Sequence, residues 1–174
     1  KQTEHHQPTK PIVKPKLIID YREKNSLVAS ELVHLGCQIE FKQLYIGDYI
    51  VKNTLIERKT VNDFLSSMIN KRLIRQIKNM QQVKTKKNKL LIIEGIEEQE
   101  LYHSQSTINE NAVRGFLLSI TLHHQIPIIF TKNYEDTAKF LAVLAKKPEK
   151  IQETGINDKP KPRNKKEQLQ YILE

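Results

Sequence analysis

The feature that most constrains the fold is a pair of short strand-like runs with the polar pair Lys52-Asn53 between them. Residues 49–51 and 55–56 have the composition of strands, and Lys52-Asn53 supplies the polar break between them. With a loop of only these two residues, Asp48 lies opposite Glu57 and their Cβ atoms are about 4.5–5.5 Å apart. The sequence therefore predicts a β-hairpin that carries two carboxylates on one face.

A lysine joins this pair. Side chains repeat every second residue along a strand, so Lys59 projects on the same side as Glu57 and Arg58 points the other way. Carboxylates that face each other across a sheet repel, and a divalent cation between their oxygens removes the repulsion. Mg²⁺ or Mn²⁺ in that position can activate a water and offset charge on a phosphate, while the lysine holds the water or the phosphate. This combination is typical of a nuclease.

Two other interpretations of the hairpin stay open at this point. Lys-Asn is not the preferred Asn-Gly turn, and a loop of three or four residues would shift the strand pairing by one. In addition, Asp, Glu and Lys in a hairpin more often form a solvated outer face. The spacing D-x8-E-x-K therefore does not establish catalysis without further motifs.

Further motifs surround the hairpin. GDY (47–49), E-R-K-x-x-x-D (57–63) and R-L-x-x-Q (72–76) together resemble the nuclease signature of the XPF family of structure-specific DNA endonucleases. The stretches LIIDYRE, LLIIEG and NAVRGFLLSI, and residues 127–147, are similar to the strands and helices of that family. The likeness covers residues 16–147 and is greatest to the nuclease half of Hef, an archaeal helicase-nuclease branch of the family.

The resemblance implies a role for each matching residue. It makes Asp48 and Glu57 the ligands of Mg²⁺ or Mn²⁺, with the backbone carbonyl of Arg58 as a further ligand. It makes Lys59 the catalytic lysine. The further matches to the family's active centre, which complete the metal shell or grip phosphate, are Asp20, Arg22, Glu23, Asp63 and Arg72, and of these Asp20 and Asp63 are predicted to be catalytic.

Two of these acids also have an ordinary structural interpretation. Asp20 ends a short apolar run, where it can deliver a carboxylate to a cleft or cap the helix that follows. Asp63 falls at the third position of a helix predicted over residues 61–69, with Thr60 as its cap, and a carboxylate there is favoured by the helix dipole. Both interpretations stay open.

The charge of the chain indicates a polyanionic partner. Its 29 Lys and Arg residues exceed its 20 Asp and Glu residues by nine, and residues 71–89 hold eight basic residues and no acid. A helix predicted over residues 72–83 has an apolar stripe and a basic face that can follow phosphates. The predicted phosphate-binding residues are Arg22, Arg58, Arg72, Arg75 and Lys78, and the resemblance implies that the partner is branched DNA.

Other classes of protein fit less well. No run of about eighteen apolar residues is present to span a bilayer, and the first residues lack a signal-peptide core. The sequence therefore predicts an intracellular protein of the cytoplasm or nucleoid, with no membrane partner. The single cysteine, Cys37, is predicted to be a small buried residue.

The predicted order of elements is βα-βββ-αα-β-α-β-α, which describes an α/β domain with a mixed central sheet. The resemblance implies a restriction-endonuclease-like fold with helices flanking that sheet. Residues 1–15 are predicted to be a disordered leader or interdomain linker, and residues 16–147 the nuclease domain. Residues 148–174 are predicted to be a basic linker leading toward a helix-hairpin-helix domain that is missing here, and a helicase domain is a possible upstream neighbour.

The last two helices are expected to expose more apolar surface than a small sheet needs, at Phe116, Leu117, Phe140, Leu141 and Leu144. In the family these elements form a dimer interface, so the resemblance implies a homodimer. Alternatively, these residues simply cover the far face of the sheet.

These features predict a Mg²⁺- or Mn²⁺-dependent endonuclease that cleaves forked, flapped or otherwise branched DNA in repair or stalled-fork processing. One alternative is a non-catalytic DNA-binding or dimerising scaffold of the same family. A second alternative is a restriction-type enzyme that cuts a specific sequence.

Overall fold

Six strands form one mixed sheet in the computed structural model, which describes residues 14–86, 88–97, 101–102 and 108–148. The strands are β1 (Lys16–Asp20), β2 (Gln38–Lys42), β3 (Tyr49–Val51), β4 (Thr54–Thr60), β5 (Asn88–Glu94) and β6 (Ile128–Thr131). The helices are α1 (Leu27–His34), α2 (Val61–Ile69), α3 (Arg72–Gln82), α4 (Glu110–Leu118) and α5 (Tyr134–Lys146). A short 3₁₀ turn, Tyr21–Glu23, follows β1, and a π-helical turn, Ser119–His123, extends α4.

The strands lie in the order β2-β1-β3-β4-β5-β6. β1 is parallel to β2 and antiparallel to β3, the β3–β4 pair is an antiparallel hairpin, and β5 and β6 continue in parallel from β4. This arrangement confirms the predicted mixed α/β fold and the predicted order of strands and helices. The ends of β1, β4 and β5 meet at one edge, and the candidate active site lies there.

Apolar side chains cover both faces of the sheet. One core packs the sheet against α1 and α5, and the other packs it against α2, α3 and α4. Neighbouring residues of β5 alternate between them, because Leu91 and Ile93 belong to the second core and Ile92 to the first. This strand is therefore buried on both faces of the sheet. Cys37 is buried in the first core, as predicted.

The prediction of the exposed apolar residues was wrong in detail. Leu141 is buried in the first core, and Phe116, Leu117 and Leu144 are half-buried against the two cores. Of the predicted set only Phe140 is exposed. Helical spacing shows that an apolar stripe exists but not how much of it the sheet covers. The large apolar side chains that are exposed in this part of the fold are Leu118, Leu122, Phe130, Phe140 and Val143.

Two predicted segments fall almost entirely outside the described residues. They are the leader, residues 1–15, and the basic linker, residues 148–174. Within the described part of the chain, none of the helices has both the length and the apolar content needed to cross a membrane.

Candidate active site

The turn between β3 and β4 consists of Lys52 and Asn53, as predicted. Val51 pairs with Thr54 and Tyr49 with Ile56, so the longer loop that would have shifted the register is excluded. Lys52 has a φ of 52°, in the left-handed region, which is where a tight hairpin turn needs it. This register brings Asp48, immediately before β3, to the side of β4 that carries Glu57.

Gly47 lets the chain enter β3 at this point. Its φ is 78°, and a Cβ there would lie 2.7 Å from the Leu55 side chain and 3.1 Å from the carbonyl oxygen of Ile56. A larger residue would clash with β4 as well as being strained. The glycine therefore allows the close approach that sets Asp48 against the hairpin.

Glu57 lies at the centre of the site. Its side chain is almost fully buried, with 2% of the residue exposed, and its Oε1 accepts hydrogen bonds from Lys59 Nζ and Gln76 Nε2, each at 2.6 Å. Lys59 retains 11% exposure. Gln76 comes from α3, so Glu57 and Lys59 occupy the face of the sheet that α2 and α3 cover. The R-L-x-x-Q motif contained Gln76, but its sequence did not indicate this contact with Glu57.

Asp48 is the second acid of the site. Its Oδ2 accepts a hydrogen bond from the backbone N–H of Arg58 at 2.8 Å. Burial, and next the negative charge of Glu57, raise the pKa of Asp48 to about 7, against the lowering effect of that N–H. The two carboxylates are therefore close enough to repel, as the hairpin pattern predicted.

Asp20 lies on the strand next to Asp48. Its backbone N–H donates to the Asp48 carbonyl oxygen at 2.8 Å. Its buried carboxylate accepts from the N–H and Nε of Arg22, at 3.0 and 2.5 Å, and from the N–H of Leu44 at 2.6 Å. Burial alone would raise the pKa of Asp20, but these donors together hold it below its ordinary value. The observed contacts are those of a cap and a loop anchor, and a catalytic role for Asp20 stays a prediction.

Arg58 points to the opposite face of the sheet. Its Nε donates to Glu94 Oε2 at 2.8 Å, a second nitrogen contacts Glu94 Oε1, and its Nη1 donates to Glu23 Oε2 at 3.2 Å. Two hydroxyls complete this group, because Tyr49 donates to Glu23 and Thr137 to Glu94, each at 2.6 Å. We call these five residues the Arg58 network.

The Arg58 network bears on two predictions. The guanidinium of Arg58 was predicted to contact phosphate, but it is mostly buried and paired with two carboxylates behind the sheet. Glu23 contacts Arg58 and Tyr49, and its charge helps to raise the pKa of Asp48, so its part in the active centre stays a prediction. Glu94 was not predicted at all, although it ends an apolar strand as Asp20 does, and that position could have indicated it.

The remaining predicted residues lie on α2 and α3. Asp63 is exposed at the start of α2, where its carboxylate accepts from the Thr60 hydroxyl at 2.9 Å and its N–H donates to the same oxygen at 3.1 Å. These are capping contacts. Arg72, Arg75 and Lys78 are exposed on α3, whose buried stripe is formed by Leu73, Ile77 and Met80.

The donor set fits a hard divalent cation. Among the described residues no three His, Cys, Asp or Glu side chains form a metal-binding group, but the predicted set has only two carboxylates, Asp48 and Glu57, and a backbone carbonyl. Beside them Gln76 Oε1 is buried without a hydrogen-bond partner in the described part of the chain. Repelling carboxylates and an unpaired amide oxygen are the oxygen donors that Mg²⁺ and Mn²⁺ accept, directly or through water.

Asp48→Asn is expected to stabilise the metal-free protein at neutral and alkaline pH. A carboxyl whose pKa is raised on folding weakens the fold as pH rises from its ordinary value, 3.8, to its folded value, about 7, because the unfolded state releases the proton first. Asparagine can still accept the Arg58 N–H and has no charge. In urea unfolding with EDTA, we expect a gain of about 2 to 4 kcal/mol near pH 8 and almost none near pH 4. An equal gain at both pH values would contradict this account.

Known proteins are similar to this chain in sequence and in fold. The ERCC4 domain family matches residues 19–144. A Methanocaldococcus jannaschii protein that carries the provisional name ATP-dependent RNA helicase is 45% identical over 147 residues, which are 84% of this chain and 17% of that protein. The 3'-flap repair endonuclease Xpf of Saccharolobus solfataricus is 30% identical over 135 residues, which are 76% of this chain and 55% of the relative. The chain thus spans about one sixth and about half of these relatives.

Two solved structures are also similar. XPF from Aeropyrum pernix aligns with a TM-score of 0.67 and 30% identity, over 75% of this chain and 63% of the other. The same protein in complex with DNA aligns with a TM-score of 0.68 and 29% identity, over 76% and 64% of the two chains. The family match spans most of the described residues and contains the whole Asp48–Glu57–Lys59 site. The chain belongs to the ERCC4 domain family, and its fold is that of the XPF nuclease domain.

Proposed function

We propose that this chain is the nuclease domain of a Mg²⁺- or Mn²⁺-dependent endonuclease that hydrolyses phosphodiester bonds in forked, flapped or otherwise branched DNA. The observation that carries the proposal is the convergence of Asp48, Glu57 and Lys59 on one face of the sheet. The relative named as a 3'-flap repair endonuclease and the similar structure in complex with DNA support the choice of substrate. We also propose a role in repair or stalled-fork processing, of which the name of the same relative supports repair.

Different residues of the site are proposed to bind the metal, to contact the phosphate or water, and to position the ligands. Asp48, Glu57 and the backbone carbonyl of Arg58 would hold the metal, which when bound supplies Lewis-acid activation of water and neutralises charge on the phosphate. Lys59 is held by Glu57 and retains some exposure, so its ammonium can donate to a phosphate oxygen or to the attacking water. Gln76 fixes the Glu57 side chain from α3. The buried floor of the site strengthens each of these interactions.

The exposed face of α3 provides a path for the DNA backbone. Arg72, Arg75 and Lys78 point to solvent, while the opposite side of the helix is anchored in the second core. Lys71 and Lys84 extend the exposed basic surface on either side. Phosphate contacts of this kind provide affinity and position but carry no sequence information. This suits an enzyme that recognises the shape of a branch.

Cleavage of labelled DNA tests the proposal. The chain is incubated with a fork, a flap and a linear duplex of matched length, in Mg²⁺, in Mn²⁺ or in EDTA. We expect cleavage of fork and flap near the branch in either metal and none in EDTA. Equal cleavage of the linear duplex would favour the restriction-type alternative. Binding without cleavage in any metal would favour a non-catalytic scaffold.

We also propose that the chain forms a homodimer through the exposed apolar side chains of its C-terminal part, which lie on α4, the π-helical turn, the edge strand β6 and α5. Leu122 is the most exposed of them, so Leu122→Glu is expected to give a monomer with an unchanged circular dichroism spectrum. Light scattering after gel filtration measures the mass. Leu27→Glu, at a position on α1 that is 59% exposed against 70% for Leu122, is the control and should leave a dimer intact. A monomeric wild-type chain at high concentration would overturn the proposal.

The length of the relatives suggests that this domain belongs to a longer protein. Because the chain spans 17% of the relative that carries a helicase name, we propose that a helicase domain precedes this domain in the whole protein. We also propose, from the family resemblance alone, that a helix-hairpin-helix domain follows it. These neighbours would supply unwinding and junction affinity, and the protein would act inside the cell on chromosomal DNA.

A further inference from the structure

A cleft of about 510 Å³ opens beside the candidate active site. Its lining residues are Asp20, Tyr21, Arg22, Gln43, Leu44 and Tyr45. This volume falls in the range of about 300–1,000 Å³ that accepts small organic ligands. Asp20 places the cleft beside the site, because its backbone N–H donates a hydrogen bond to the backbone carbonyl oxygen of Asp48. None of the contacts assigned to Asp48, Glu57 or Lys59 explains the cleft or the aromatic residues in it.

Two exposed tyrosines flank the cleft. Tyr45 is 91% exposed and Tyr21 is 58% exposed. The Tyr21 ring is not loose, because it stacks on Phe41 with ring centroids 6.5 Å apart and an angle of 23° between the planes. The Tyr21 ring is therefore held beside another aromatic ring of the protein, and more than half of the residue is left to solvent. A supported ring with an open side is a platform on which a planar group can stack.

A positively charged side chain, Arg22, lines the same cleft as the two tyrosines. The Nε of Arg22 is paired with Asp20 at 2.5 Å and its Nη2 contacts the Leu44 carbonyl oxygen at 3.3 Å, yet 66% of the side chain stays exposed. The same Asp20 carboxylate accepts the Leu44 N–H at 2.6 Å, which ties the loop that carries Tyr45 to the end of β1. One buried acid, Asp20, thus positions the guanidinium and anchors the loop that carries Tyr45.

We propose that this Tyr21–Tyr45 cleft receives an unpaired nucleotide of the DNA strand next to the scissile phosphate, with its base stacked on the tyrosines and its phosphate paired with Arg22. This inference rests on the proposed function, and it narrows the class of DNA substrates that the domain is expected to bind. Stacking needs a base whose face is open, and a base inside a continuous duplex has no open face. The cleft therefore favours DNA in which a single strand meets the duplex, and it discriminates against blunt duplex.

A tryptophan at position 45 reports on the cleft directly. The chain has no tryptophan, so Tyr45→Trp introduces the only one, at an exposed position where it does not disturb the core. In EDTA, where cleavage is blocked, oligothymidylate is expected to quench its fluorescence through stacking. A blunt duplex at the same nucleotide concentration is expected to quench it weakly. Absent quenching by the single strand, or equal quenching by the duplex, would overturn the proposal.

Two matched variants separate stacking from general apolar contact. Tyr45→Phe keeps a ring and should keep single-strand affinity, whereas Tyr45→Leu should lower that affinity about tenfold, as measured by anisotropy in EDTA. Equal affinities for both variants would contradict a stacking role.

These binding measurements do not depend on catalysis, so they separate the cleft proposal from the proposed nuclease function. If the cleft binds single strands but forks are never cut, the proposed nuclease function fails alone. If forks are cut while position 45 makes no difference, the cleft proposal fails alone.

Discussion

Glu57→Gln is expected to lower the cleavage rate of forked DNA on the order of 10³-fold while leaving the fold intact. The substitution keeps the size of the side chain and an oxygen that can accept from Gln76. It removes the negative charge that pairs with Lys59 at 2.6 Å and that would hold the metal with Asp48. The rate should be measured in a single turnover with saturating enzyme, so that a change in DNA affinity does not enter it.

Glu40→Gln is the matched control for this substitution. Glu40 lies on β2 and pairs with Lys16 and Lys42, so the variant removes the same charge from a glutamate–lysine pair outside the site. We expect it to cleave at the wild-type rate. If Glu57→Gln cleaves within a few-fold of the control rate, Glu57 is not a required metal ligand. The proposed active site would then be wrong.

Arg58→Met is expected to destabilise the protein by about 3 to 5 kcal/mol, the second large effect. Burial alone would lower the pKa of Arg58, but its hydrogen bonds to Glu94 raise it above the ordinary value, so the side chain stays charged. Methionine keeps much of the length of the side chain but leaves the buried Glu94 and the half-buried Glu23 without their cation. Urea unfolding at neutral pH measures the loss.

A double variant separates the lost ion pair from lost packing. Arg58→Met with Glu94→Gln should be less destabilised than the sum of the two single changes, because the glutamine still accepts from Thr137 and carries no charge. Arg72→Met is the exposed control and should change the free energy of unfolding by less than about 0.5 kcal/mol. A similarly small effect of Arg58→Met would show that the Arg58 network is solvated and contributes little to stability.

The candidate site was predictable where its geometry is local. The two-residue turn, the alternation of Glu57, Arg58 and Lys59 and the placement of Asp48 all follow from about ten consecutive residues. The capping of α2 by Thr60 and Asp63 is equally local, and the structure shows it. The spacing D-x8-E-x-K alone did not identify a family. The order of the motifs GDY, E-R-K-x-x-x-D and R-L-x-x-Q along the chain indicated the resemblance to the XPF family.

Contacts between distant parts of the chain were not predictable in this way. Glu94 and Thr137 are separated by 43 positions, and Arg58 reaches Glu94 across 36. No sequence periodicity relates residues so far apart, so the pairing of Arg58 with Glu94 was not predicted. The Arg58 side chain was predicted to bind phosphate, although strand alternation already placed it on the face opposite Glu57. The prediction that Leu141 is exposed was wrong for a related reason. An amphipathic pattern does not show how deeply its helix packs on the sheet.

The amino-acid sequence by itself determined the strands, the helices and the chemical groups that one hairpin brings together, because propensity and side-chain alternation act over a few residues. Only the tertiary structure decided that Gln76 holds Glu57, that Arg58 pairs with Glu94 and Glu23, and that Tyr21 and Tyr45 share a cleft. Each of these depends on which elements pack side by side. That choice is made by burying apolar surface across the whole domain, and no short stretch of sequence contains it.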